Sequence, residues 1–189
     1  MARAAYVDIQ GSMRKIERDL WMVSKKHARR AAARALNDTA VTLRKTASQE
    51  AGKAAKIPIP MMKRHMPIGK ANFRRLSVPL YLHLRGISAA SLDPKRTATG
   101  VRAKPNHVFE GAFYLEPGHE SLKGRTFKQG IVLRRRRDDP SKLEAMRVEH
   151  AHISQPIMDE IILRTGHTVF IAKFTSRMRY QLKQAARGK

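Results

Sequence analysis

Between Asp8 and Lys56 the apolar positions recur at steps of three and four. Met13, Ile16, Leu20, Val23, Ala31, Ala35, Leu43 and Ala47 fall on one narrow stripe, with His27 and Thr39 on the same line. That spacing predicts a helix over 8–56. Most of the filler is alanine, arginine, lysine and glutamate, all strong helix formers. Ala31–Ala33 and Ala35 leave a thin waist where another backbone can approach, which makes Ala31, Ala32 and Ala35 candidate subunit-packing positions. Asn37–Asp38 is the one polar pair that hints at a break, so the segment reads as one long helix or two. Gly52 is a candidate C-cap, and Pro58 and Pro60 forbid continuation. Residues 57–72 form a connector that admits a short helical turn at Pro60–His65. Its Met61, Met62 and Met66 read as gap-fillers over a core.

The period then changes to two. Leu76, Val78, Leu80, Leu82 and Leu84 alternate with Ser77, Pro79, Tyr81 and His83, a strand with one buried face. Pro79 lacks an amide donor and argues for an edge or a bulge. Val108–Leu115 and Ile131–Arg135 predict further strands, and Met146, Val148 and His150 a fourth. The region 73–150 is thus expected to be sheet, with long loops at 86–105 and 117–130. A last helix is expected over 154–187, with Ser154 as N-cap, Pro156 in the first turn, and Asp159 and Glu160 near the positive dipole end. Ile157, Ile161, Ile162, Phe170, Phe174, Met178 and Leu182 supply its apolar face, and Gly166 with Thr168–Val169 leaves room for a kink. The predicted fold is α+β in a single domain over 1–189: a long N-terminal helix (or two), a central antiparallel sheet with long loops, and a C-terminal helix packed on the sheet.

Charge changes the picture more than any motif. The chain has 189 residues, with 39 lysines and arginines against 15 acids and a formal charge of +24, yet 42% of its residues are hydrophobic. It reads as a folded domain that sits against something negative. Having no cysteine, it is denied disulfides, thiolate zinc sites and cysteine nucleophiles. Neither an apolar run of signal-peptide type at Met1–Gln10 nor a stretch of about 20 apolar residues is present. Gly118–Thr126 misses the phosphate-loop spacing, because Lys123 precedes Gly124 and Arg125 follows it. His119–Glu120 opens like a zinc-protease helix, but position 123 is lysine. On a strand His150 and His152 would share a face without a third ligand, so no metal, cofactor or catalytic residue is assigned, and an enzyme is not expected.

Arg134, Arg135, Arg136 and Arg137, ending at Asp138–Asp139–Pro140, form the densest basic cluster. It is either a solvated hairpin tip partly neutralised by the two aspartates or a contact to phosphates or acidic protein. Arg74, Arg75, Lys95, Arg96, Arg102 and Lys104 add to it, within a stretch from Ile57 to His107 that has ten basic residues and one acid, Asp93. With 6% aromatics, any nucleic-acid contact should be directed at the backbone and sensitive to salt.

Three segments together resemble the minor tail protein Z, or tail completion, family of long-tailed phages. They are the alanine-rich run Ala31–Ala40, the strand His107–Phe113, and the run Arg147–Ile157 that leads into the last helix. The resemblance covers most of the chain in the family's order. It implies a virion protein of the head-proximal tail end, made in the host cytoplasm, that completes the tail and helps join it to the head without performing chemistry. It also implies a homo-oligomeric ring, expected to be a hexamer. Its partners would be tail tube or terminator and head connector proteins, with DNA or acidic neck proteins against the positive surface, and no membrane. The alternative is a free-standing nucleic-acid-binding protein without sequence specificity.

Overall fold

A computed structural model of the chain describes residues 2–7, 25–118 and 130–186. The predicted stripe from Met13 to Val23 and most of the predicted 117–130 loop lie outside those residues. The first described helix, α1 (Lys25–Ala54), runs unbroken through Asn37–Asp38 because both side chains are engaged by tertiary partners. Asn37 donates from Nδ2 to the Ala71 carbonyl (3.1 Å) and accepts from the Ala71 amide (2.8 Å), and Asp38 holds Arg177. Neither competes for its own backbone, which is how such residues usually break helices. The helix ends at Ala54 and is capped through Lys56, not Gly52. Lys56 takes the left-handed conformation (φ 52), the Ile57 amide donates to Gly52 O (2.8 Å), and the Lys56 amide to Lys53 O (3.2 Å). This is the Schellman arrangement, with buried Ile57 closing it.

The connector carries α2 (Ile59–His65), close to the expected turn. The chain then enters β2 (Val78–His83), which pairs antiparallel with β1 (Ala2–Val7) at the N-terminus, a strand the hydrophobic pattern did not reveal. Pro79 takes the expected edge position, on the side of β2 away from its ladder with β1. Its backbone faces Pro67–Gly69, where Gly69 donates to Pro79 O and Tyr81 donates to Pro67 O (both 2.9 Å). The missing amide therefore lies on the short bridge side, and the long ladder to β1 is spared.

The predicted loop 86–105 is instead structured. It holds β3 (Ile87–Ser88), a 3₁₀ turn (Ala89–Ser91), β4 (Lys95–Thr97) and β5 (Gly100–Ala103). The predicted strand 108–115 is two, β6 (His107–Glu110) and β7 (Ala112–Leu115), divided at Gly111 with φ +66. β8 (Ile131–Arg135), β9 (Leu143–Ala145) and β10 (Arg147–Val148) complete the strands. They pair antiparallel as β1–β2, β10–β3, β4–β5–β6 and β7–β8–β9.

The last helix, α3, spans Ala151–Ala186. It begins three residues before the expected cap. The His150 carbonyl accepts the first helical bonds from Ile153 (3.0 Å) and Ser154 (2.8 Å), so His150 is not in a strand and Ser154 sits inside the first turn. The helix continues through Gly166 without interruption. It touches β1 and β2, but its main partner is α1. Pairs His27–Gln181, Asp38–Arg177 and Glu50–Arg164 show that the two run antiparallel. Ala31, Ala35, Thr39, Leu43, Ala47 and Ala51 are all buried on α1, as are Met158, Ile161, Phe170, Phe174 and Met178 on α3. Small side chains on one helix accept large ones from the other, and close packing follows. The fold is α+β, with a helical hairpin beside small antiparallel sheets.

Candidate partner interface

The strand pairing that replaces the expected 86–105 loop sorts its basic residues by face. Val101, Ala103 and Phe109 point into the core. On the opposite face Lys95 stands directly across from Arg102, which stands across from Val108. All three are exposed, Val108 to 51%. Like charges opposed across a ladder repel. Neither has an ion pair among the described residues, and Asp93, which feels the Lys95 charge, is bonded to Lys104, so an incoming anion would relieve that repulsion.

The other candidates of the region are less free. Arg96 donates to Tyr114 O (3.0 Å) and lies 3.6 Å from the Glu116 carboxylate. Lys104 pairs with Asp93 at 2.7 Å, and this hydrogen bond and charge hold the Asp93 carboxyl below its ordinary pKa. Arg74 lies over the Phe73 ring, 5.4 Å from its centroid, and Arg75 donates to Ser77 Oγ at 3.2 Å. Both are exposed, on a turn where Asn72 Oδ1 accepts their amides.

The four consecutive arginines are divided by the β8–β9 hairpin. Arg134 faces Glu144 across the ladder and donates to it from Nε (3.1 Å) and Nη2 (2.7 Å). Arg135 reaches Pro140 O at 3.3 Å. Asp139, expected to offset the cluster, is taken by Ser141 and by Lys142 (2.9 Å), which hold its pKa down. Arg136 and Arg137 are exposed and make no ion pair among the described residues. Replacing these two with serine should leave the melting temperature within about 2 °C while weakening retention on a polyanion column, because surface changes away from packed features are usually near neutral. Arg134→Ser should do the reverse, costing about 1 kcal/mol or less with little loss of retention.

One set of assignments is corrected. Ala31, Ala32 and Ala35 are fully buried within this chain, at 0% exposure, so the thin waist offers no surface to a second copy. Sequence reading also missed a corner of three histidines, His65, His83 and His150. His65 and His150 lie 85 positions apart, so no local pattern could have joined them. His152, once paired with His150 on a supposed strand face, is an exposed residue of α3.

Among the described residues, no group of three or more histidines and carboxylates is placed to hold a metal, and no helix is long and apolar enough to cross a membrane. Compared with known proteins, the chain matches no family model, and no curated protein or solved structure is significantly similar to it.

Proposed function

We propose that this chain is a structural component of the head-proximal end of a phage tail, completing the tail and helping join it to the head. Its basic exterior would meet DNA or acidic neck proteins. The observation that carries the reading is a basic excess that the fold leaves outside. Among the lysines and arginines of the described residues only Arg96, Lys104, Arg134, Lys142, Arg164 and Arg177 are ion-paired, on a chain of net charge +24. The reading also rests on the three segments that resemble the tail-completion family. Ala31–Ala40 lies in the buried α1 contact, His107–Phe113 joins β6 to β7, and Arg147–Ile157 turns β10 into α3. In a ring, contacts between copies would fall to exposed apolar side chains of the helix pair such as Val41 and Leu163, which is 84% exposed.

The test combines duplex titration at rising salt with imaging of the purified protein. The expected result is rings or capped tail tubes, with only feeble duplex binding by the free protein. A dedicated binder that neutralises about six to ten phosphates loses roughly 10³–10⁵ in affinity between about 50 and 200 mM salt. Tight, strongly salt-dependent binding by a monomer without affinity for tail components would replace this reading with the nucleic-acid-binding one.

A further inference from the structure

Where α2, β2 and the start of α3 meet, three imidazoles come together from distant parts of the chain. His65 ends α2, His83 ends β2, and His150 precedes the first residue of α3. His150 is fully buried, His65 is half-buried and His83 is exposed. The rings of His65 and His150 meet edge to face with centroids 5.1 Å apart, and His65 Nδ1 lies 3.2 Å from His150 Nε2. His83 stands edge-on to His65 at 6.0 Å. Beyond them His150 Nδ1 is 3.2 Å from Ser154 Oγ, which reaches Met62 Sδ at 3.7 Å. Two rings and a hydroxyl thus tie α2 to the first turn of α3.

A contact between two ring nitrogens needs one donor and one acceptor, so it forms only while at least one ring is neutral. Charging both would bring two cations together across a 3.2 Å contact beside fully buried His150. Backbone hydrogen bonding at His83 favours the charged form of His65, but the side chains that bear on the pair offer no relief. They are His83 from β2, Arg147 from β10 and His152 from α3, none of them anionic. Lys63 and Arg64 of α2 are exposed, and the Glu149 carboxylate lies over Gly86. No carboxylate pairs with either ring among the described residues. Burial first, then His150, His83 and Arg147, push the His65 pKa down to about 4. Burial and then His152 also lower that of His150.

We propose that this histidine corner is a proton-sensitive latch: neutral, it fastens α2 and β2 to the start of α3, and on protonation it releases them while the α1–α3 hairpin stays packed. It is independent of the tail-protein reading. Released imidazoles take up protons near pH 6.5, whereas packed His65 resists until about 4. The latch is therefore at full strength above about pH 6.5 and weakens progressively as pH falls toward about 4.

Hydrogen exchange on the full chain at pH 7 and pH 5, corrected for the intrinsic rate, tests it. Amides of Ile59–His65 and Val78–His83 should lose about tenfold or more of their protection relative to the α1–α3 contact, the scale of one proton per pH unit. His65→Gln keeps an acceptor but cannot be charged, and should remove most of that loss. An equal loss in both proteins, or none in either, overturns the proposal. Should His65→Gln not fold, exposed His83→Gln serves instead. It removes a ring that stands against His65 and lowers its pKa, and should move the opening midpoint to lower pH; an unmoved midpoint overturns the latch. Protection of the same amides by one equivalent of Zn²⁺ at pH 7 would also overturn it, marking the facing nitrogens as a metal site.

Discussion

Ala35→Arg should destabilise the protein by about 4 kcal/mol or more, close to the whole stability of many domains. Ala35 is 0% exposed, in the middle of the α1 stripe that packs on α3. Its carbonyl accepts the hydroxyl of buried Thr39, one turn along the same stripe, at 2.8 Å. Two effects add. Extra side-chain volume in a close-packed contact costs about 1–3 kcal/mol through displaced neighbours. A guanidinium buried there lacks an acidic partner, since the nearest carboxylate on the helix, Asp38, already binds Arg177 at 2.6 Å. For a chain of this size 1 kcal/mol moves the melting temperature by about 2–4 °C, so a fall of roughly 8–16 °C is expected. Arg34→Ala is the control, one position away and exposed, and should shift it by no more than about 2 °C. Equal shifts for the two would mean that the stripe faces solvent and not α3.

That stripe was the most legible part of the chain. From Ala31 through Ala35, Thr39 and Leu43 to Ala47 the step of four holds, and all five are buried. A helix that long writes its buried face into the sequence many times over. The region 86–105 has no such redundancy. β3 has two residues, and β4 has three that are all exposed, so neither can display an alternation. Their pairing is set by turns and by the approach of neighbouring strands, which a hydrophobic pattern does not encode.

Tertiary partners account for the other differences. Asn37–Asp38 resembles a helix break until Ala71 and Arg177 are placed beside it. Ser154 has the chemistry of an N-cap, yet its hydroxyl is spent on His150 and Met62. The candidate interface was legible as a region but not residue by residue. Lys95 and Arg102 become a pair only through the β4–β5 register, and Arg134 is withdrawn from the surface set only through Glu144 on β9. Composition reports how many cations a fold must place. Register decides which of them are left without a partner.

Gly100→Ala brings that register under test and is the second large effect. A Cβ at Gly100 would lie 2.2 Å from the Phe109 carbonyl oxygen and 3.1 Å from both Glu110 Cα and the Gly111 amide. These are backbone atoms, so no side chain can rotate away, and the β5–β6 ladder must open to admit the methyl. Val101 and Phe109, the next pair along, are both buried and would be displaced with it. The expected cost is about 2–4 kcal/mol, in the range of strained backbone and core disruption together. Gly111→Ala separates crowding from backbone conformation. Gly111 has φ +66 but nothing within 4 Å of the added Cβ, so its cost should be only about 1 kcal/mol. The two variants should melt at clearly different temperatures, with Gly100→Ala the lower. Because opening the β5–β6 ladder also displaces β5 and the Lys95–Arg102 pair it forms with β4, Gly100→Ala should lose polyanion retention below its melting point, whereas Gly111→Ala should keep it. If Gly100→Ala melts lower yet binds as before, the opposed pair on the sheet face is not where the anion sits, and the exposed arginines of the β8–β9 hairpin become the stronger site.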